Sequence, residues 1–143
     1  MQVVSVERRI AAPIDEVWRH YTNHRGWEAL MGAGNVILDP EGQPDPNGVG
    51  CVRHVLVAGL SLVSEEITRF DAPSRMEYRI VKGGGPIRAH KGEVLFTEQP
   101  DGTLVTWRCQ FESSVPGMGP LIAGSVKQFF AFLLRRLDKQ LSR

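Results

Sequence analysis

Five consecutive segments of the chain alternate between apolar and polar residues with a period of two, and they limit the possible folds more than any other feature. They span residues 51–57, 62–70, 76–82, 87–97 and 103–113. Turn-forming residues separate them, such as Gln99-Pro100-Asp101-Gly102 before the last segment. Successive strands with short connections form an antiparallel meander. The alternation predicts a sheet with one covered face and one face in water.

The N-terminal region predicts one further strand and two short helices. Residues Val4, Val6 and Ile10 alternate with polar residues, as in a half-buried strand. Ala12-Pro13 ends that strand, and apolar residues then recur at helical spacing from Ile14 to Tyr21. A second short helix is predicted over Trp27–Met31. Residues 39–50 are dense in turn residues and are predicted to form a loop inside one domain.

The C-terminal region predicts one long amphipathic helix after Gly119-Pro120. Its apolar residues recur at steps of three and four over roughly twenty residues, or about 30 Å. They are Ile122, Val126, Phe129, Phe130, Leu133, Leu137 and Leu141. The order of elements predicts an α+β fold of the helix-grip type. In it, a curved antiparallel sheet of six to seven strands wraps around the C-terminal helix, and two short helices near the N-terminus close one end.

Length and charge narrow the classes of partner. The 143 residues match a single domain, residues 1–143, and the net charge of +1 gives no reason to expect nucleic acid binding. The basic residues Arg135, Arg136, Lys139 and Arg143 suit the C-terminal end of a helix. No apolar run approaches the roughly twenty residues that cross a bilayer, so we expect a cytoplasmic protein. We expect it to be a monomer or a homodimer. Cys51 and Cys109 fit no zinc spacing and are expected to be buried free thiols.

Five short motifs, in this order, resemble the START-like helix-grip (SRPBCC) superfamily, and within it the polyketide cyclase/dehydrase-like group. They are Ile10-Ala-Ala-Pro13-x-Asp15-x-Val17-Trp18, Gly48-x-Gly50-x-x-Arg53, Phe70-Asp-Ala-Pro73, Met76-Glu-Tyr78 and Asp101-Gly-Thr-x-Val-x-Trp107. The resemblance covers nearly the whole chain. It implies a gap between sheet and helix that binds a small, largely apolar molecule.

Strand parity and this resemblance together select candidate ligand-binding residues. Parity leaves residues 51–57 ambiguous, and the resemblance implies that Arg53 faces the cavity. On the other strands, the polar and apolar residues that share the apolar face are predicted to line the cavity. Trp107 and the C-terminal helix are predicted to form one of its walls. The full set is Arg53, Val55, Val57, Val63, Glu65, Tyr78, Ile80, Arg88, His90, Trp107, Cys109, Phe111, Val126, Phe129, Phe130 and Leu133.

Several of these polar residues have two possible roles. Arg53 and Glu65 could form a salt bridge between strands, or Arg53 could bind a ligand oxygen while Glu65 holds it in place. Arg53, Tyr78 and His90 are candidate catalytic residues, because His90 could exchange a proton and Tyr78 could donate to an enolate. His20 and His24 are four residues apart but lack further ligands nearby, so neither a metal nor another cofactor is predicted.

Three functions compete at this level. The first is binding or transport of a lipid, polyketide or aromatic metabolite. The second is a polyketide cyclase or dehydrase that uses the same cavity, and the third is a protein-interaction domain. By resemblance to plant hormone receptors, residues 58–62 and 83–86 match a movable gate and latch, and their movement on binding is a hypothesis.

Overall fold

Residues 1–142, which the computed structural model describes, form seven strands and three α-helices around one core. Arg143, the last of the C-terminal basic residues, lies outside them. The strands are β1 Gln2–Ile10, β2 Asn35–Leu38, β3 Val52–Val57, β4 Leu60–Asp71, β5 Arg75–Gly83, β6 Ile87–Gln99 and β7 Gly102–Ser113. The helices are α1 Ile14–Thr22, α2 Trp27–Met31 and α3 Gly119–Leu141, with a 3₁₀ turn at His24–Gly26.

All seven strands form one antiparallel sheet in the order β1-β7-β6-β5-β4-β3-β2. The chain therefore begins at one edge of the sheet, crosses to the other through α1 and α2, and returns strand by strand. This arrangement confirms the predicted helix-grip architecture. The pattern also located both short helices, while β2 was not identified because it has only four residues.

The antiparallel order places three connections at the same end of the molecule, which we call the upper end. They are the β3–β4 turn, the β5–β6 turn and the link from β7 to α3. Helix α3 starts at this end, with Pro120 in its first turn, and runs down to the opposite, lower end. The N-terminal helices close the lower end.

Helix α3 lies across the concave face but does not cover it evenly. It packs chiefly against β1, with additional contacts to β7, α1 and α2. An ion pair of 2.7 Å between Arg8 Nε of β1 and Asp138 Oδ2 fixes its lower half. The concave face of β3, β4 and β5 therefore has little helix above it near the upper end.

The strand pairing is irregular at four places in the sheet. A register shift in β6 lies between Arg88 and Lys91, and Ala89 within it has a positive φ of 51°. Such a bulge adds one residue to the strand and reverses the faces beyond it. Three further shifts affect the pairing of β4. One, between Val55 and Leu56, is against β3, and two, between Ser64 and Glu65 and between Ile67 and Arg69, are against β5.

No helix within residues 1–142 has both the length and the apolarity needed to cross a bilayer.

Candidate functional site

The side chain of Arg53 lies at the centre of the buried polar groups. Strand β3 directs it into the concave face, where its exposure is 2%. Its Nε donates a 2.9 Å hydrogen bond to Oε1 of Glu65, which is directly opposite on β4. The guanidinium also lies over the rings of Trp27 at 4.9 Å and Tyr78 at 4.7 Å. The ion pair, one of the two roles considered for these residues from the sequence, is therefore present, and the arginine is largely engaged by protein groups.

His24 supports Arg53 from below, a role that the sequence did not reveal. Arg53 Nη1 donates to His24 Nδ1 at 3.2 Å, and because arginine only donates, this nitrogen must accept. The Nε2–H of His24 then donates to the carbonyl of Asn47 at 2.9 Å. Burial, and after it the charge of Arg53, lower the pKa of His24 from the usual 6.5 to about 3. His24 is therefore a neutral, structural histidine.

His24 and His20 do not form a metal pair. His20 Nδ1 donates to the carbonyl of Glu16 at 2.9 Å, one helical turn back. In the described residues, no group of three or more His, Cys, Asp or Glu side chains is arranged to hold a metal ion.

Tyr78 is fixed by its neighbours above and beside it. Trp107 Nε1 donates to Tyr78 Oη at 2.8 Å. A Cβ on Gly92 would lie 2.3 Å from Cζ of the Tyr78 ring, so the ring occupies the space that a larger residue would need. Burial raises the pKa of Tyr78, with a further contribution from the charge of Glu65. Tyr78 is thus a buried neutral phenol.

The hydroxyl of Tyr21 lies nearby and has no hydrogen-bond partner within residues 1–142. Burial also raises its pKa, and the neighbouring Tyr78 raises it further. The interior therefore contains two neutral phenols beside one charged guanidinium.

Aromatic side chains fill the lower half of the hollow. Trp107 stacks on Phe130 of α3, with ring centroids 3.9 Å apart and an interplanar angle of 8°. Tyr21 and Trp27 contact the same Trp107 edge-on, at 5.3 and 5.5 Å. Because these rings close the space between sheet and helix, this half forms the core of the protein. The predicted site residues that are buried are Arg53, Tyr78, Trp107, Cys109, Phe111, Phe130 and Leu133.

The upper half of the hollow is less completely filled. Strands β3, β4 and β5 present half-buried side chains to the concave face there, and α3 presents one from the opposite side. They are Val55, Val63, Glu65, Ile80 and Val126. Phe129 follows Val126 by three residues, shares its side of the helix, and is 44% exposed. The concave face of β3 to β5 thus keeps a partly accessible apolar strip around Glu65 toward the upper end, and we call this strip the groove.

His90 borders this groove, and a main-chain hydrogen bond defines which of its ring nitrogens carries the hydrogen. The main-chain N–H of Ile80 donates to His90 Nδ1 at 3.2 Å, so in the neutral ring the hydrogen is on Nε2. Burial lowers the pKa of His90, although Glu65 acts in the opposite direction. The ring centroid lies 5.4 Å from that of Tyr78. His90 can therefore donate one hydrogen bond to a molecule in the groove.

Two predicted lining residues lie elsewhere. Arg88 is exposed on the outer side of β6, because the bulge at Ala89 reverses parity between Arg88 and His90. The parity argument was wrong for this residue. Val57 is 39% exposed and lies beside the β3–β4 turn, at the rim of the groove.

Both cysteines are buried free thiols, as predicted. Cys109 lies on the concave face of β7, where burial, and then the charge of Glu65, raise its pKa to about 12. A thiol in this state is a poor nucleophile.

Comparison with protein families gives one match over nearly the entire chain. A family model described as "Polyketide cyclase / dehydrase and lipid transport" matches residues 1–142. No curated protein sequence matches the chain significantly.

Solved structures share the fold at low sequence identity. A solution structure from Thermobifida fusca has a TM-score of 0.83 at 20% identity, covering 100% of this chain and 95% of that one. A START superfamily protein from Mycobacterium smegmatis has a TM-score of 0.79 at 13% identity, covering 97% and 96%. The crystal structure of Ara h 8.0201 has a TM-score of 0.78 at 15% identity, covering 98% and 97%. These similarities establish a START-like helix-grip fold, in agreement with the family match.

Proposed function

Because the chain belongs to the polyketide cyclase/dehydrase and lipid transport family, we propose that it binds a small hydrophobic molecule in the upper half of the hollow. Lipids, polyketides and aromatic metabolites are the ligand classes that fit this proposal. Binding, with or without transport, requires no nucleophile and no metal.

The observation that carries this proposal is the uncovered apolar strip between α3 and strands β3 to β5. Val55 and Val63 pair directly across β3 and β4, and Ile80 of β5 lies beside Glu65 on the same face. All three aliphatic side chains remain half-buried although they point into the concave face. Covering such surface stabilises a complex by about 25 cal/mol for each Å² of apolar area removed from water.

The polar groups at this strip suit a ligand that has at least one oxygen. Glu65 can accept a hydrogen bond through its partly exposed carboxylate, and His90 can donate one from Nε2. A hydroxyl group on an apolar frame satisfies both, because it can donate to Glu65 and accept from His90, whereas a carbonyl group can only accept from His90. The aromatic floor beneath them limits how deep the ligand reaches.

A cyclase or dehydrase activity is the alternative, and it rests on His90. Among the three candidate catalytic residues, Arg53 and Tyr78 are buried and engaged with Glu65, His24 and Trp107. His90 borders the groove with one nitrogen free, next to the Glu65 carboxylate. In this alternative, the Nε2–H of His90 would donate a hydrogen bond to a carbonyl oxygen of the substrate and stabilise the negative charge that develops there.

A neutral fluorescent probe tests the proposal directly. Nile red should bind the purified protein, and Val63→Trp, which fills the strip, should weaken binding by about tenfold or more, or 1.4 kcal/mol. The matched control is Ile37→Trp on β2, a residue that is already 49% exposed, and it should leave affinity unchanged. Mass spectrometry of an organic extract of the protein would identify a co-purifying ligand. Equal binding by both variants would contradict this location for the ligand.

A further inference from the structure

Strands β5 and β6 separate before they reach the upper end of the sheet. Their pairing runs from Arg75 opposite Leu95 to Tyr78 opposite Gly92, although β5 continues to Gly83 and β6 begins at Ile87. Between the unpaired parts lies a cleft of about 520 Å³. Its lining includes Ile80, Lys82, Ile87, Arg88, Ala89 and His90.

Two local features keep these strands apart. The bulge at Ala89 interrupts the regular alternation of β6. In addition, the Ile80 N–H that would bond to a backbone carbonyl of β6 donates instead to the imidazole of His90. A side chain thus takes the place of a ladder hydrogen bond, and the opening is a built-in feature of the sheet.

The cleft connects the two faces of the sheet. Ile80 lies on the concave side, opposite Glu65, and the His90 ring lies 5.4 Å from the ring of Tyr78 on the same side. Lys82 lies opposite Ser64 and Arg88 opposite Glu112, and both cations are on the outer side. A molecule in the cleft would therefore have apolar groups at its inner end and cations at its outer end.

These two cations differ from the other lysines and arginines of β5, β6 and β7. Arg75, Arg79, Lys91 and Arg108 each lie within 4.0 Å of a glutamate oxygen. Among residues 1–142, neither Lys82 nor Arg88 has such a carboxylate.

Main-chain carbonyls, which carry no net charge, hold the guanidinium of Arg88 in place. Its Nη1 donates to the carbonyls of Gly85 at 2.7 Å and Ile87 at 2.9 Å.

Acidic residues are scarce at the upper end of the molecule. Residues 55–63, 80–90 and 112–128 contain only Glu112 of the 16 acidic residues in the chain.

We propose that the cleft between β5 and β6 binds an anionic amphiphile, with its charged head at Lys82 and Arg88 and its apolar part on Ile80 and Ile87. This inference rests on the proposed function and deepens it by naming the charge of the ligand and the place where it crosses the sheet. Two cations without ion-pair partners can interact with a carboxylate, sulfate or phosphate head without first breaking an existing salt bridge.

Three ligands with the same twelve-carbon chain test the charge requirement. Dodecanoate, dodecanol and dodecyltrimethylammonium compete with bound Nile red below their micelle-forming concentrations. Dodecanoate should bind at least about tenfold more tightly than the cation, or 1.4 kcal/mol, with dodecanol between them. The variant Lys82→Glu/Arg88→Glu should reverse this order. The control Arg135→Glu/Lys139→Glu changes net charge equally on exposed positions of α3 and should keep it.

The outcomes separate this inference from the proposed function. If Nile red binds but the three ligands compete equally, or if both double variants change the order alike, the anionic site is wrong and the hydrophobic site stands. If neither Nile red nor any of the three ligands binds to the wild-type protein, the proposed function fails and this inference fails with it. Circular dichroism of the variants checks that each one is folded.

Discussion

Arg53 and Glu65 form a cross-strand ion pair in which the arginine side chain is 2% exposed and the glutamate side chain 15%. The arginine also contacts His24, Trp27 and Tyr78. Glu65 therefore compensates its charge, and its guanidinium lies over two aromatic rings. The glutamate carboxylate, in contrast, reaches the floor of the groove. One member of the pair therefore belongs mainly to the core, and the other lies where a ligand would contact it.

Removing Arg53 should destabilise the fold strongly. Arg53→Ala leaves Glu65 partly buried without its partner and opens a space between two rings, so we expect a loss of about 3–5 kcal/mol in the free energy of unfolding. The control is Arg79→Ala, which breaks the exposed pair of Arg79 with Glu66 and should cost under about 1 kcal/mol. Urea denaturation followed by circular dichroism measures both. Similar losses for the two variants would contradict the central place given to Arg53.

Adding one methyl group at Gly92 should also destabilise the protein. The new Cβ of Gly92→Ala would meet the Tyr78 ring at 2.3 Å, so the ring or strand must shift, at a cost of about 1–3 kcal/mol. Gly124→Ala is the matched control, because this glycine lies within α3 and a methyl group on its Cα would have no neighbouring atom within 4 Å. That control should stabilise the protein by about 0.5–1 kcal/mol. Thermal unfolding that moves both variants in the same direction would argue against the close packing of Tyr78 on Gly92.

Stability should fall as the solution becomes acidic, and His24 should account for part of the loss. Its pKa is about 3 in the folded protein, against 6.5 in the unfolded chain. Between these values the unfolded state binds more protons, so the stability contributed by neutral His24 is complete above pH 6.5 and is lost as pH decreases toward 3. At pH 5 the expected loss is about 2 kcal/mol relative to pH 7.

Urea midpoints at pH 7 and pH 5 measure this effect. His24→Gln lowers stability at both values but should reduce the difference between them, whereas His20→Gln on the surface of α1 should keep the wild-type difference. If His24→Gln shows the full wild-type pH dependence, His24 is not the group that titrates.

The sequence predicts the fold better than the site. The alternation that indicates a strand is repeated over many residues, so one irregular position does not hide it, whereas a site depends on the positions of single residues. Five period-two segments and one helical pattern were enough to predict the meander and α3. The four residues of β2 contain too few alternations to be recognised. A single bulge at Ala89 was enough to turn Arg88 to the outside while His90 stayed at the groove.

The contacts of His24 that support Arg53 could not be predicted from the sequence, for a different reason. His24 lies after α1, and Asn47 lies in the loop that precedes β3, so their contact with each other is set by the tertiary fold. The pairing of Arg53 with Glu65 was accessible because both belong to adjacent strands with short connections. No local pattern distinguishes His24 from an exposed histidine.

Substitutions of the adjacent residues Phe129 and Phe130 should distinguish an effect on the core from an effect on the ligand groove. Phe130 stacks on Trp107 and is 5% exposed, so Phe130→Ala should cost about 3–5 kcal/mol of stability. Phe129 is 44% exposed beside Val126, so Phe129→Ala should cost under about 1 kcal/mol. In our proposal Phe129 covers part of the bound molecule, and its loss should weaken Nile red binding by about tenfold, or 1.4 kcal/mol, while the fold remains intact. Urea denaturation and a probe titration on the same two variants measure the two effects separately. A stable Phe129→Ala protein with wild-type affinity would mean that this part of α3 does not form a wall of the binding site.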